Sequence, residues 1–313
     1  MEKISERDFF GQSRVTEFKF FYKTSDLYTI PTFLSIYSLL KYYKGNEVSI
    51  LIIHNNLKIE NQLKLKSLEE VWKSKLKVNI DFFNINSLEI DKSILQNQIK
   101  YSAGLGSTKN VTIETFFNLW TPYMTSANKG LHLDSDTIVV DDISELVNFP
   151  LDDNTYIAAC KHLFDRSSTY LNWLNGRPNT YINAGVILWN LESIRNHDIS
   201  QKLIDAVSSI PCAVVDQDIF NIVCYGHIKY LPIEYNLGEY VRRLKYPNNV
   251  FTEEDMKARD DHPKIFHYSS RIKPWIYGTD DKTPFGDILR EVMQNNLISS
   301  GEYSVFAESL PDV

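Results

Sequence analysis

Apolar positions along this chain follow two periods. Phe18–Tyr22, Val48–His54 and Val78–Asn84 are short runs rich in aromatic and β-branched residues, which predicts strands. Between them, Ile30–Tyr43 repeats apolar residues at helical spacing, and Lys58–Lys75 mixes charge with leucine in a helical pattern. Strand and helix in alternation predict βαβ units, a mainly parallel sheet and an α/β fold. On such sheets ligands bind beyond the carboxyl ends of the strands. Two polar turns fall at places of that kind. One is Thr24-Ser25-Asp26, after the first strand; the other is Asp134-Ser135-Asp136, after the short apolar stretch Leu131-His132-Leu133.

The pattern weakens elsewhere. Asn84–Asn110 is polar and reads as a connecting insertion, and residues 1–17 read as an appended arm. From Thr279 onward, seven acids stand against Lys282 and Arg290. This segment is expected to be an acidic C-terminal extension (279–313), helical around Ile288–Met293, beyond a main domain spanning 18–278.

Composition narrows the function classes. At 313 residues with 43% hydrophobic content, the chain can fill a sizeable core. A net charge of −7 argues against a nucleic-acid partner, which would call for a basic field. Cys160, Cys212 and Cys224 stand far apart, so buried thiols in a reducing compartment are expected, not a disulfide framework. The start, MEKISERDFFGQSR, lacks the apolar core of a signal peptide, and no stretch reaches the ~18 apolar residues of a membrane span. The expectation is a cytoplasmic protein with at most peripheral contact at the inner face of a membrane.

Asp134 and Asp136 carry the clearest chemistry. Alternate residues leaving a strand share a face, and two like charges so placed favour a cation between them. Oxygen ligands suit Mg²⁺, Ca²⁺ or Mn²⁺. His267, at the end of the apolar Ile265-Phe266, is placed to complete a metal shell, and Lys273, beside Pro274 and Trp275, to neutralise phosphate as a point charge. Asn183-Ala184-Gly185 reads as a turn before a buried element, where small residues admit a ligand to the backbone. Asp216-Gln217-Asp218 opens a helix beginning at Ile219, with one acid as N-cap. Tyr28, near Thr24, Ser25 and Asp26, offers a ring for a nucleoside.

Taken in order, these motifs, with Leu231-Pro232 and Tyr235-Asn236, resemble glycosyltransferase family 8, from about Phe18 to Trp275. The resemblance implies a single Rossmann-like, nucleotide-sugar-binding domain of the GT-A type. It implies a retaining hexosyltransferase that moves galactose or glucose from a UDP-sugar to a glycan acceptor: lipid-linked, polysaccharide or glycoprotein glycan. It also implies Mn²⁺, with Mg²⁺ as the alternative, on Asp134, Asp136 and His267. Tyr28 then matches the ring on uracil, with Thr24, Ser25 and Asp26 near the base. Ser135 matches a ribose contact, Ser270 and Lys273 the phosphate side, and Ala184 the donor cleft. Asn183, Asp216 and Gln217 match residues around the donor hexose, Gln217 nearest the anomeric carbon. Asn118 stands where an arginine is frequent, and His162 where an acceptor-side acid is frequent. The alternative is an inactive UDP-sugar- or glycan-binding protein of the same fold. An aspartyl-phosphate hydrolase is disfavoured, because Ile138 stands where its threonine belongs and the motif lies mid-chain.

Overall fold

The structure, a computed structural model, describes residues 18–105, 111–162, 180–270 and 273–309. The N-terminal arm expected at residues 1–17 lies outside the described residues. The strands are β1 (Phe18–Thr24), β2 (Glu47–His54), β3 (Lys77–Asn84), β4 (Lys129–Leu133), β5 (Thr137–Val139), β6 (Ile157–Lys161), β7 (Ile182–Asn190), β8 (Ile228–Leu231) and β9 (Ile265–His267). The longer helices are α1 (Thr29–Tyr42), α2 (Ile59–Trp72), α3 (Lys92–Gly104), α4 (Ile199–Ser209), α5 (Val215–Val223), α6 (Glu253–Asp261), α7 (Pro284–Gln294) and α8 (Ser300–Ser309).

Successive residues of β1 point to opposite faces, and both faces are covered. Phe20 and Tyr22 join a core with α1, Ile50 and Ile52, while Phe21 joins a second core with Leu51, Ile53, Phe116 and Phe117. A strand buried on both sides reads as a near-continuous apolar run, which is why β1 and β2 were legible. The seven-stranded sheet has the order β3-β2-β1-β4-β7-β6-β8. β1 is parallel to β2 and β4, β2 to β3, and β6 to β8; β7 alone runs antiparallel to its neighbours β4 and β6. The sheet is therefore mainly parallel, as expected. Parallel β1 and β4 deliver their carboxyl ends to one rim, and reversed β7 starts at that same rim.

A separate two-stranded sheet pairs β5 with β9, setting Thr137 opposite His267. It lies next to that rim because β5 begins just after the turn that ends β4.

Two local expectations are corrected. The segment after β3, whose weak pattern suggested only a connecting insertion, carries a helix: α3 forms there, its amino end held by Asp91, which accepts from the Ser93 amide at 2.9 Å. Leu95 is buried, and Gln98 donates to the Val207 and Ile210 carbonyls at 2.6 and 2.7 Å. A stripe that narrow among polar residues gives little helical periodicity. Second, Asn183–Gly185 is not a turn but the start of β7 itself.

The C-terminal segment is helical around Ile288–Met293 as expected, and α7 and α8 pack into the α1 side of the main core through Phe285, Ile288, Leu289, Val292, Tyr303 and Phe306. The three cysteines are buried and unpaired. Among the described residues no helix is long and apolar enough to cross a membrane.

Candidate active site

Backbone pairing assembles three side chains able to hold a metal ion. The Asp134 amide donates to the Gly185 carbonyl at 2.8 Å, continuing the β4–β7 ladder by one residue. Tyr268 donates its amide to the Asp136 carbonyl at 2.9 Å, continuing β5–β9. His267 thereby comes beside both aspartates. Its Nε2 lies 3.6 Å from Asp134 Oδ2 and 3.3 Å from Asp136 Oδ1. One donor atom from each of the three falls within 4.8 Å of the others.

Each ligand is oriented from behind. Asp134 Oδ1 is held by Lys23 Nζ at 3.2 Å and His132 Nε2 at 3.1 Å. Asp136 Oδ2 is held by Lys273 Nζ at 2.5 Å. The Nδ1 of His267 is bonded to Asn236 Oδ1 at 2.9 Å, which assigns the proton to Nδ1 and leaves Nε2 bare for a cation. Two carboxylate oxygens and one imidazole nitrogen, each with its other polar atom occupied, suit a divalent cation with mixed oxygen and nitrogen preference.

Electrostatics follow this pairing. Burial alone would raise the carboxyl groups of Asp134 and Asp136, but Lys23 and His132 for the first, and Lys273 and His267 for the second, hold both below the usual range. Burial would likewise lower Lys23 and Lys273, yet their carboxylate partners raise them. His132 is driven down by its burial, so its neutral ring donates Nε2–H to Asp134 while buried Nδ1 has no partner.

A second cluster of polar side chains adjoins the first across Lys23. Asp216 Oδ2 receives Lys23 at 3.3 Å and Asn118 Nδ2 at 2.8 Å. Gln217 Oε1 accepts from Asn183 Nδ2 at 3.0 Å and the Ala184 amide at 3.1 Å, while its buried Nε2 has no partner among the described residues. Asn183 Oδ1 accepts from Asn236 Nδ2 at 2.8 Å, which links this cluster to His267. Neither acid of Asp216-Gln217-Asp218 is the N-cap: α5 starts at Val215, and Val214 occupies the cap position. Asp218 instead accepts from the Val214 amide at 2.6 Å and from the Tyr181 hydroxyl. Val215 carries a φ of 38°, a strained value for a β-branched residue, immediately before Asp216 and Gln217.

The first-strand turn divides in two. Tyr28 packs edge-on against Trp275 with ring centroids 5.7 Å apart, close enough to Lys273, Asp136 and Asp134 to feel their charges. The other residues make hydrogen bonds within the fold. Thr24 and Ser135 are buried, their hydroxyls bonded to Thr32, and Ser135 also donates to the Lys23 carbonyl at 2.6 Å. Asp26 accepts from the Lys58 amide at 3.0 Å and Asn61 at 2.6 Å, anchoring α2. Ser25 contributes its carbonyl to Tyr28, and Ser270 is half-buried beyond β9.

The structure therefore gathers Asp134, Asp136, His267, Lys273, Asn183, Ala184, Asp216 and Gln217 at one rim. Sequence reasoning missed Lys23 and His132 and gave Asn236 no role. The available signal was a lysine directly after the aromatic run Phe20-Phe21-Tyr22, one residue from the end of the strand.

Residues 19–279 match the model of Glycosyl transferase family 8. The chain belongs to that family. General stress protein A of Bacillus subtilis is 25% identical over 249 residues, covering 77% of this chain and 80% of that protein. Lipopolysaccharide 1,2-glucosyltransferase of Escherichia coli is 23% identical over 225 residues, covering 63% and 64%. Among solved structures, the galactosyltransferase LgtC with donor and acceptor sugar analogues superposes with a TM-score of 0.65 at 19% identity, covering 94% of this chain and 97% of that one. The bifunctional glycosyltransferase WbbM gives 0.69 at 21% identity, and this chain spans about half of its length. These structural likenesses establish a GT-A-like fold. The protein is thus a family 8 glycosyltransferase with an Asp-Asp-His cluster able to hold a metal ion.

Proposed function

We propose that this chain is a metal-dependent, retaining hexosyltransferase that moves galactose or glucose from a UDP-sugar to a hydroxyl of a glycan acceptor. The observation that carries the reading is the meeting of Asp134, Asp136 and His267 with Lys273 at the rim where parallel strands end. The names of the E. coli glucosyltransferase and of LgtC support a hexose donor and a glycan acceptor.

Asp134, Asp136 and His267 would hold Mn²⁺ or Mg²⁺. Bound there, the cation supplies Lewis-acid stabilisation of the charge that grows on a departing diphosphate. Lys273, already fixed by Asp136 and the Tyr268 carbonyl, adds a preorganised positive charge on the same side. Tyr28 offers its ring to uracil. Asn183, Asp216 and Gln217 surround the hexose, and the unpartnered Gln217 Nε2 is a buried donor that a sugar oxygen would satisfy. The amide of Gln217 is a poor nucleophile, and Asp216 is held by Lys23 and Asn118. The family resemblance then implies attack by the acceptor hydroxyl on the face that UDP leaves, with a departing phosphate oxygen taking its proton.

The test is UDP release from a panel of UDP-sugars, with Mn²⁺ and with EDTA. Slow hydrolysis of one hexose donor, abolished by EDTA and lowered at least about 100-fold in Asp136→Asn, is expected. Unchanged transfer in Asp136→Asn overturns the reading, and UDP binding without turnover on any acceptor favours a binding protein instead.

A further inference from the structure

Lys23 stands where β1 should need an apolar residue. Its side chain is about nine-tenths buried, and its ammonium reaches Asp134 Oδ1 at 3.2 Å, Asp216 Oδ2 at 3.3 Å and the Thr115 carbonyl at 3.0 Å. An ammonium has three donors, and these acceptors use all of them. Burying a cation among carboxylates is rarely more stabilising than burying a well-packed apolar side chain of similar volume. Fold stability is thus a poor reason for a lysine here.

Its two carboxylate partners belong to different halves of the site. On the metal side, Lys23 and His132 occupy Asp134 Oδ1, so Oδ2 is the oxygen presented to His267. On the sugar side, Lys23 and Asn118 occupy Asp216 Oδ2, and Oδ1 has no partner among the described residues. One cation orients both carboxylates, and no other described lysine or arginine pairs with either.

We propose that Lys23 is a positioning residue that couples the metal centre to the sugar pocket, setting Asp134 Oδ2 toward the divalent cation and Asp216 Oδ1 toward a hydroxyl of the donor hexose. The proposal rests on the hexosyltransferase reading above. Without Lys23, neither Asp134 nor Asp216 keeps a lysine or arginine partner among the described residues, and the two carboxylates are free to rotate and to repel each other. Metal binding and hexose binding then fail together, although only Asp134 is a metal ligand.

Lys23→Met keeps the length of the side chain and removes its charge. Binding of Mn²⁺ alone, followed by electron paramagnetic resonance, is expected to weaken at least about tenfold. At saturating Mn²⁺, calorimetry should show UDP-hexose losing at least about tenfold more affinity than UDP, because Asp216 faces the hexose and not the nucleotide. Asn118→Ala removes only the sugar-side partner, so it should reproduce the UDP-hexose defect with Mn²⁺ binding unchanged. Mn²⁺ binding as tight in Lys23→Met as in the wild type overturns the proposal. So does an equal loss for UDP and UDP-hexose, the mark of a merely structural lysine. If circular dichroism shows Lys23→Met unfolded, Lys23→Gln, which keeps a donor on a shorter chain, is read by the same criteria. A wild-type chain that binds Mn²⁺ but no UDP-sugar refutes the hexosyltransferase reading, while the Mn²⁺ arm still decides the metal half of this one.

Discussion

Gly185 lies directly beneath the imidazole of His267: a Cβ added there would stand 2.1 Å from Cε1 and 2.6 Å from Nδ1 of the ring. No side chain, not even a methyl group, fits without displacing the histidine. Gly185→Ala is therefore expected to weaken Mn²⁺ binding at least about tenfold. Overpacking should cost about 1–3 kcal/mol of stability. Mn²⁺ titration beside urea unfolding checks both, and undiminished metal binding would show that His267 is not a ligand.

Asn236 touches both halves of the site, accepting from His267 Nδ1 and donating to Asn183 Oδ1. Asn236→Ala is expected to lower metal affinity about 10–100-fold, as for loss of other groups that orient a ligand histidine. Asn236→Asp keeps the acceptor but loses the donor. Its Mn²⁺ affinity should recover while the KM for the sugar donor stays raised. Loss of both functions in Asn236→Asp would mean that the amide group matters only for packing.

His162 follows β6 and lies 6.2 and 6.3 Å from the rings of Tyr181 and Tyr240. Burial pushes its imidazole down to about 4. The folded chain thus keeps the ring neutral over a range where the unfolded chain, titrating near about 6.5, binds a proton. Stability should be level above about pH 6.5 and fall as pH drops toward 4, by up to about 3 kcal/mol. His162→Gln should flatten that decline in urea unfolding between pH 7.5 and 4.5. An identical slope in the variant would assign the acid sensitivity to other groups.

Leu289 on α7 is fully buried in the core that also holds α1. Leu289→Ala is expected to cost about 2–5 kcal/mol, the usual range for a leucine truncated inside a core. A solvated acidic tail would show a change within about 0.5 kcal/mol. Urea unfolding distinguishes the two outcomes.

What was legible in the sequence had a local cause. β1, β2, α1 and the carboxylate pair follow from apolar periodicity and from the strand-end placement of Asp134 and Asp136, because period and burial are coupled within a few residues. α3 escaped because it is held by residues far along the chain: Gln98 bonds to the Val207 and Ile210 carbonyls, and Leu95 is its one buried apolar side chain. The hydrogen bonds of Ser135 to Thr32 and to the Lys23 carbonyl likewise join residues distant in the chain and leave no local signal.

By itself, then, the sequence determined the α/β alternation, the residue types of a metal site and their order along the chain. Tertiary structure decided which oxygen of each aspartate faces His267 and why Gly185 must lack a side chain. It also decided that Lys23 joins two acids 82 residues apart in the chain, Asp134 and Asp216. The physical reason is that these are distances between elements: they depend on the β4–β7 and β5–β9 registers, which no local pattern encodes.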